Sequence, residues 1–244
     1  HNYCPIPEGV ERKLALPDYY ALSSLDKEER QKALYFTKRT IDTAARLKAR
    51  AVVFHTGRVD IPDRTRELID LFNEGKKDTK EYAELKSRMA QERQKSASPY
   101  LEQVLESLEG LTKYAEGQGI NLGIENRYYF REIPSLEELE AIFKNFPRRN
   151  LFYWHDVGHA QLYENLGLLN HLDYLQKFSD RMLGIHFHDI RGAEDHRAPL
   201  KGDFNFIKLV PFVNKNTIKV LEAHYPATPE ELGKAAEYLE HLFK

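Results

Sequence analysis

The feature that most constrains this chain is a recurring alternation: a short apolar run of β character, a polar turn, then a longer amphipathic stretch. The β-type runs are Ala51 to Phe54, Ile120 to Ile124, Leu151 to Trp154, Met182 to Phe187 and Ile218 to Leu221. Each is short and mainly apolar, as strands covered on both faces should be. Helix signals lie between them. Asp26-Lys27-Glu28-Glu29 opens a stretch with Leu34, Ile41, Ala45 and Leu47 on one face, while Ser135 with Glu138 and Thr228 with Glu231 read as capping boxes. Strand alternating with helix predicts an α/β fold with a parallel sheet. The length, 244 residues, is near the roughly 250 of an eight-fold β/α barrel.

Between 62 and 118 the chain is longer than one crossover helix needs. Pro62 to Glu74, Thr79 to Lys95 and Pro99 to Glu116 each read helical. This excursion is expected either as a solvated helical insertion or as an arm over the barrel mouth.

A second regularity is chemical. His55 ends the first run, Glu125 the second and Asp156 the third; His186 falls in the fourth and Glu222 ends the fifth. The successive spacings, Glu125 to Asp156, Asp156 to His186 and His186 to Glu222, are 31, 30 and 36 residues, each about one strand–helix unit. Such residues converge on the carboxyl-end face, where parallel α/β folds carry their sites. Several carboxylates on one partly desolvated face raise one another's pKa unless a cation is present. Two Glu, one Asp and one His suit a divalent ion: Mn or Mg, or Co and Zn where histidines dominate.

Composition narrows the partners. Lys and Arg number 36 against 38 Asp and Glu, for a net charge of −2, so broad binding to nucleic acid or an anionic membrane is not expected. No run is long enough for a transmembrane span, and the single cysteine, Cys4, suits a reducing, cytoplasmic setting.

The phrases His55-Thr56-Gly57, Gly123-Ile124-Glu125-Asn126, Asp156-Val157-Gly158-His159, His186-Phe187-His188-Asp189 and Leu221-Glu222, in that order, resemble the xylose isomerase-like TIM-barrel superfamily. That group includes sugar and sugar-phosphate isomerases, ketose 3-epimerases and zinc-dependent apurinic-site endonucleases. The resemblance implies a single (β/α)8 domain over 1–244, with a helical insertion after the strand ending at His55. It also implies that His1-Asn2-Tyr3 closes the preceding strand, so that the first β/α unit is missing from the chain as given.

The resemblance further implies metal ligands Glu125, Asp156, His186 and Glu222, with His186 and Asp189 satisfying the family's His-x-x-Asp. Glu125 and Glu222 are the expected acid–base pair, moving a proton through an enediolate. His55, His159, Arg127, Trp154, His188 and Arg197 are the candidate substrate contacts. The cofactor expected is one divalent metal ion, with no organic cofactor; the partner is a small sugar or sugar phosphate, with homo-oligomers a family-level expectation. In the alternative, a zinc-dependent phosphodiester hydrolase, His1, His55, His159, Glu194 and His196 add ligands for further ions. Two departures weaken that reading: Glu194 stands where Asp is usual, and Leu200-Lys201-Gly202-Asp203 lacks the first glycine of a Gly-x-Gly stretch.

Overall fold

Most helix starts among the described residues are set by side-chain caps. In the computed structural model, which describes residues 1–14, 18–147 and 150–244, α1 (Lys27–Arg46) begins where the Asp26 carboxylate accepts the amides of Glu28 and Glu29. Its buried stripe is Ala33, Thr37, Thr40, Ile41 and Ala44 rather than the predicted Leu34, Ile41, Ala45 and Leu47, of which Leu47 is exposed. Small residues at helical spacing make the buried face, and the larger ones flank it. Both expected capping boxes form, at α4 (Leu136–Asn145) and α7 (Pro229–Leu242).

Two compact units contain these elements: His1–Asp63, Met89–Glu125 and Tyr129–Phe152 in the first, Arg64–Arg88, Asn126–Tyr128 and Tyr153–Lys244 in the second. In the first, β1 (Ala51–Phe54) and β2 (Asn121–Glu125) pair in parallel, with Phe54 beside Ile124. The Asn2 amide donates to the Val53 carbonyl at 3.1 Å, which sets His1 beside the end of β1. On the other edge the Leu122 amide donates to the Asn150 carbonyl at 2.8 Å, just before β3 (Leu151–Asp156). Ile41, Val52, Phe54, Leu108, Leu111, Leu122 and Ile124 form the core of this unit.

The sequence predicts a break at Pro99. Instead one helix, α3 (Lys80–Gly117), runs through it. An interior proline costs about 3 kcal/mol; burial of Met89, Val104, Leu108 and Leu111 on either side offsets that cost.

In the second unit β3 pairs with β4 (Met182–Phe187), and β4 with β7 (Ile218–Leu221), all parallel. The register places Asp156 beside His186, and the Glu222 amide donates to the Phe187 carbonyl at 3.1 Å. Three strand ends are therefore level. α5 (Val157–Asn165) starts at once, N-capped by the Asp156 side chain, and α6 (His171–Phe178) follows. The beginning of the excursion, α2 (Thr65–Asn73) and the first turns of α3, has a defined role here. Lys77 Nζ donates to the Asn165 carbonyl at 2.5 Å, Tyr82 Oη to Leu166 at 3.0 Å and Lys86 Nζ to Gly167. Cations and a phenol thus satisfy the carbonyl end of α5, where the helix dipole favours positive charge.

A hairpin not foreseen from the sequence, β5 (Asp189–Arg191) with β6 (Glu194–Arg197), follows β4. Asp189 Oδ1 accepts the amides of Ile190 and Phe204, at 2.9 and 3.0 Å, and the Asp203 amide donates to the Ile190 carbonyl at 2.8 Å. A side chain at Gly202 would meet Asp189 Oδ1 at 2.3 Å, so this glycine is what lets the loop close.

Candidate metal centre

The level strand ends of the second unit bring three predicted ligands together. His186 Nδ1 lies 2.6 Å from Glu222 Oε2 and 3.7 Å from Asp156 Oδ2. Asp156 is fully buried, His186 nearly so, and Glu222 is half-buried. Burial pushes the Asp156 carboxyl up, but His159, His188 and His186 around it outweigh this and hold it well below the usual carboxylate range. Two carboxylate oxygens converging on an imidazole nitrogen are the mixed O/N donor set that fits a divalent cation.

His188, expected at the substrate surface, lies instead beneath Asp156 with no exposure. Its Nδ1 accepts the His196 amide at 2.8 Å, so the ring proton sits on Nε2 and points at Asp156 Oδ1 and Oδ2, 2.8 and 3.0 Å away. His188 therefore holds the Asp156 carboxylate in place. The space for its ring is made by Gly158, where a Cβ would stand 2.0 Å from His188 Cε1.

His159 donates Nδ1–H to the Asn126 carbonyl at 3.1 Å, leaving Nε2 available 4.0 Å from Asp195 Oδ2. The same Asp195 oxygen lies 2.8 Å from His196 Nδ1. Burial raises the Asp195 carboxyl, but His196, followed by His159 and His188, more than compensates and lowers it. The carboxylate next to His159 and His196 is thus Asp195. Glu194, chosen from the family spacing, is exposed and pairs with Arg197 at 2.7 Å. His196 has φ +54°, a left-handed turn beside Asp195 that interrupts the extended backbone. Its ring stacks between His188 and His224, with centroids 4.1 and 3.9 Å away. The other departure has a backbone signature too: Leu200 sits at φ +75°, where the family carries glycine.

The first unit holds three of the predicted residues, His1, His55 and Glu125. His55 Nε2 is 3.0 Å from Glu125 Oε2, and His55 Nδ1 is 2.9 Å from Asp18 Oδ2. Glu125 is 1% exposed. His1 Nε2 stands 3.7 Å from the same Glu125 oxygen, with its ring edge-on to His55. Asp18 was not foreseen; it carries no motif.

Trp154 faces inward as its spacing from Asp156 implies, buried against His186 at 5.2 Å and seated over Gly184. Arg127 is buried, and Tyr128 packs edge-on against His159. Arg197, a candidate substrate contact, is held by Glu194 and by the Lys201 carbonyl.

The family model for the xylose isomerase-like TIM barrel matches residues 8–242. The chain belongs to that family, and its fold is the α/β TIM-barrel type. The uncharacterized protein MJ1311 of Methanocaldococcus jannaschii is 29% identical over 120 residues, which take in 46% of this chain and 40% of that protein. This chain therefore spans less than half of that relative. Among solved structures, a D-tagatose 3-epimerase-like protein is 22% identical, with 91% of this chain and 72% of that one covered at a TM-score of 0.64. A D-allulose 3-epimerase from Methylomonas sp. is 16% identical, with coverages of 92% and 74% and a TM-score of 0.66. At these identities the likeness carries the fold. Among the described residues no helix is long and apolar enough to cross a membrane.

Proposed function

We propose that this protein is a divalent-metal-dependent sugar isomerase or epimerase. The observation that carries the reading is the convergence of Asp156 and Glu222 on His186 Nδ1 at the level ends of three parallel strands. The sugar 3-epimerase names among its structural neighbours support the substrate class. Asp156, His186 and Glu222 hold the cation, and Glu125 joins them on the family resemblance. When bound, the ion supplies Lewis acidity that makes a C–H beside a carbonyl easier to ionise.

The chain's own groups do the rest. On the family resemblance Glu125 and Glu222 are the acid–base pair: one carboxylate takes the proton from the substrate carbon, and the other, entering protonated, delivers its own to the opposite face or to the neighbouring carbon. The two glutamates differ in burial and partner: Glu125 is buried against His55, and Glu222 is half-buried beside His186. His159 Nε2 is the substrate contact with the clearest open nitrogen.

The test is deuterium wash-in. Purified protein loaded with Mn, Co or Zn is incubated with free and phosphorylated ketoses in D2O. Exchange at a sugar carbon, abolished in Glu222→Gln, is expected; full exchange by that variant refutes the acid–base assignment. A second reading, a multinuclear zinc hydrolase, is favoured by one observation: Asp195 restores an acidic partner beside His159 and His196. Three zinc ions per chain together with nicking of abasic-site DNA would replace the isomerase reading.

A further inference from the structure

β3 shows Trp154 and Asp156 to one side and Tyr153 and His155 to the other. The second pair is fully buried and takes no part in the chemistry above. Tyr153 Oη donates to Asn126 Oδ1 at 2.9 Å. That oxygen also accepts the Asp156 amide at 2.8 Å, while Asn126 Nδ2 donates to the Asp156 carbonyl at 3.0 Å. The Asn126 side chain therefore clasps both backbone groups of Asp156, and its own carbonyl holds His159 Nδ1. With its proton spent on Asn126, the phenol oxygen accepts from His155 Nδ1 at 2.6 Å; His155 Nε2 lies 3.1 Å from His171 Nε2. The Tyr153 ring is locked between Tyr174 and Phe178.

We propose that Tyr153 is a positioning residue for the metal centre: its hydroxyl fixes the Asn126 amide, and that amide fixes Asp156 and His159. The proposal rests on the reading of Asp156 as a metal ligand. Without the hydroxyl, Asn126 Oδ1 loses one of its two donors and His155 loses its acceptor, so the clasp on Asp156 slackens. Outer-shell partners of this kind change metal affinity by about 10–100-fold.

The experiment is a double-mutant cycle read by Mn²⁺ binding to metal-free protein, by electron paramagnetic resonance and calorimetry. Circular dichroism and urea midpoints check folding. Tyr153→Phe keeps the ring and is expected to weaken Mn²⁺ binding about ten-fold. Asn126→Ala weakens it at least as much, and adding Tyr153→Phe to Asn126→Ala costs nothing more. Wild-type protein that binds neither Mn²⁺ nor Zn²⁺ overturns the metal-centre reading itself. Wild-type binding with an unchanged Tyr153→Phe, or single effects that simply add, overturns this inference alone. Should Tyr153→Phe fail to fold, His155→Gln, which loosens the same hydroxyl from its other side, is expected to weaken binding several-fold; an unchanged affinity there is equally fatal.

Discussion

Replacing Gly158 by alanine separates two opposed effects. Gly158 lies in the first turn of α5, where alanine gains about 1 kcal/mol in helix propensity over glycine. The new methyl, however, would stand 2.0 Å from His188 Cε1 and 2.4 Å from Nδ1, against the roughly 3.5–4.0 Å of an ordinary contact. His188 has nowhere to retreat: it is stacked on His196 and bonded at both nitrogens. Overpacking costs about 1–3 kcal/mol, and the lost hydrogen bond to the buried Asp156 carboxylate about 1.5–3 kcal/mol. The net expectation is a loss of about 2–5 kcal/mol, or roughly 5–15 °C in Tm for a chain of this size. Urea unfolding at constant m measures it, with Gly233→Ala as control, because that site is helical with nothing within 4 Å. The control should gain stability. If Gly158→Ala matches it, the steric reasoning about His188 is wrong.

Three further outcomes follow from the packing. Leu200→Gly relieves a left-handed residue whose side chain is half exposed, so the urea midpoint should rise by the equivalent of about 1 kcal/mol; a fall would show that the leucine side chain matters more than its backbone. Arg93→Met strands Glu138, which Arg93 meets at 2.5 Å with both side chains buried. Breaking such a pair costs about 3–5 kcal/mol, and restoring stability by adding Glu138→Gln would confirm that the orphaned charge is the cause. Burial pushes His171 down from 6.5 to about 4. The unfolded chain then binds a proton that the folded one refuses, so stability is complete above pH 6.5 and falls as pH drops toward 4. That loss is on the order of 3 kcal/mol, and His171→Gln should flatten the slope between pH 4 and 6.5.

The sequence was most legible where one local rule governs one element. Asp26, Ser135 and Thr228 cap helices because a short polar side chain before an amphipathic run has few other uses. The apolar runs became strands, and the ends of β3, β4 and β7 became level, because parallel register follows from the repeat. Legibility failed where geometry overrides spacing. The left-handed turn at His196 exchanged Asp195 for Glu194. His188 went under Asp156 because Gly158 leaves a hole there. Pro99 did not stop α3 because burial on both sides exceeds what the proline costs. Asp18 and Tyr153 carry no signal of their own; only their partners, His55 and Asn126, reveal them.

Asp189 completes the family's His-x-x-Asp phrase, yet its oxygen is taken by the amides of Ile190 and Phe204. The loop that presents Asp195 and His196 is thus assembled by the protein's own bonds. A loop ordered in advance has little conformational entropy left to lose when a ligand arrives. On the proposed function, binding of the ion and of the sugar at this rim should each be a single bimolecular process at every concentration, with a heat-capacity change set by desolvation alone.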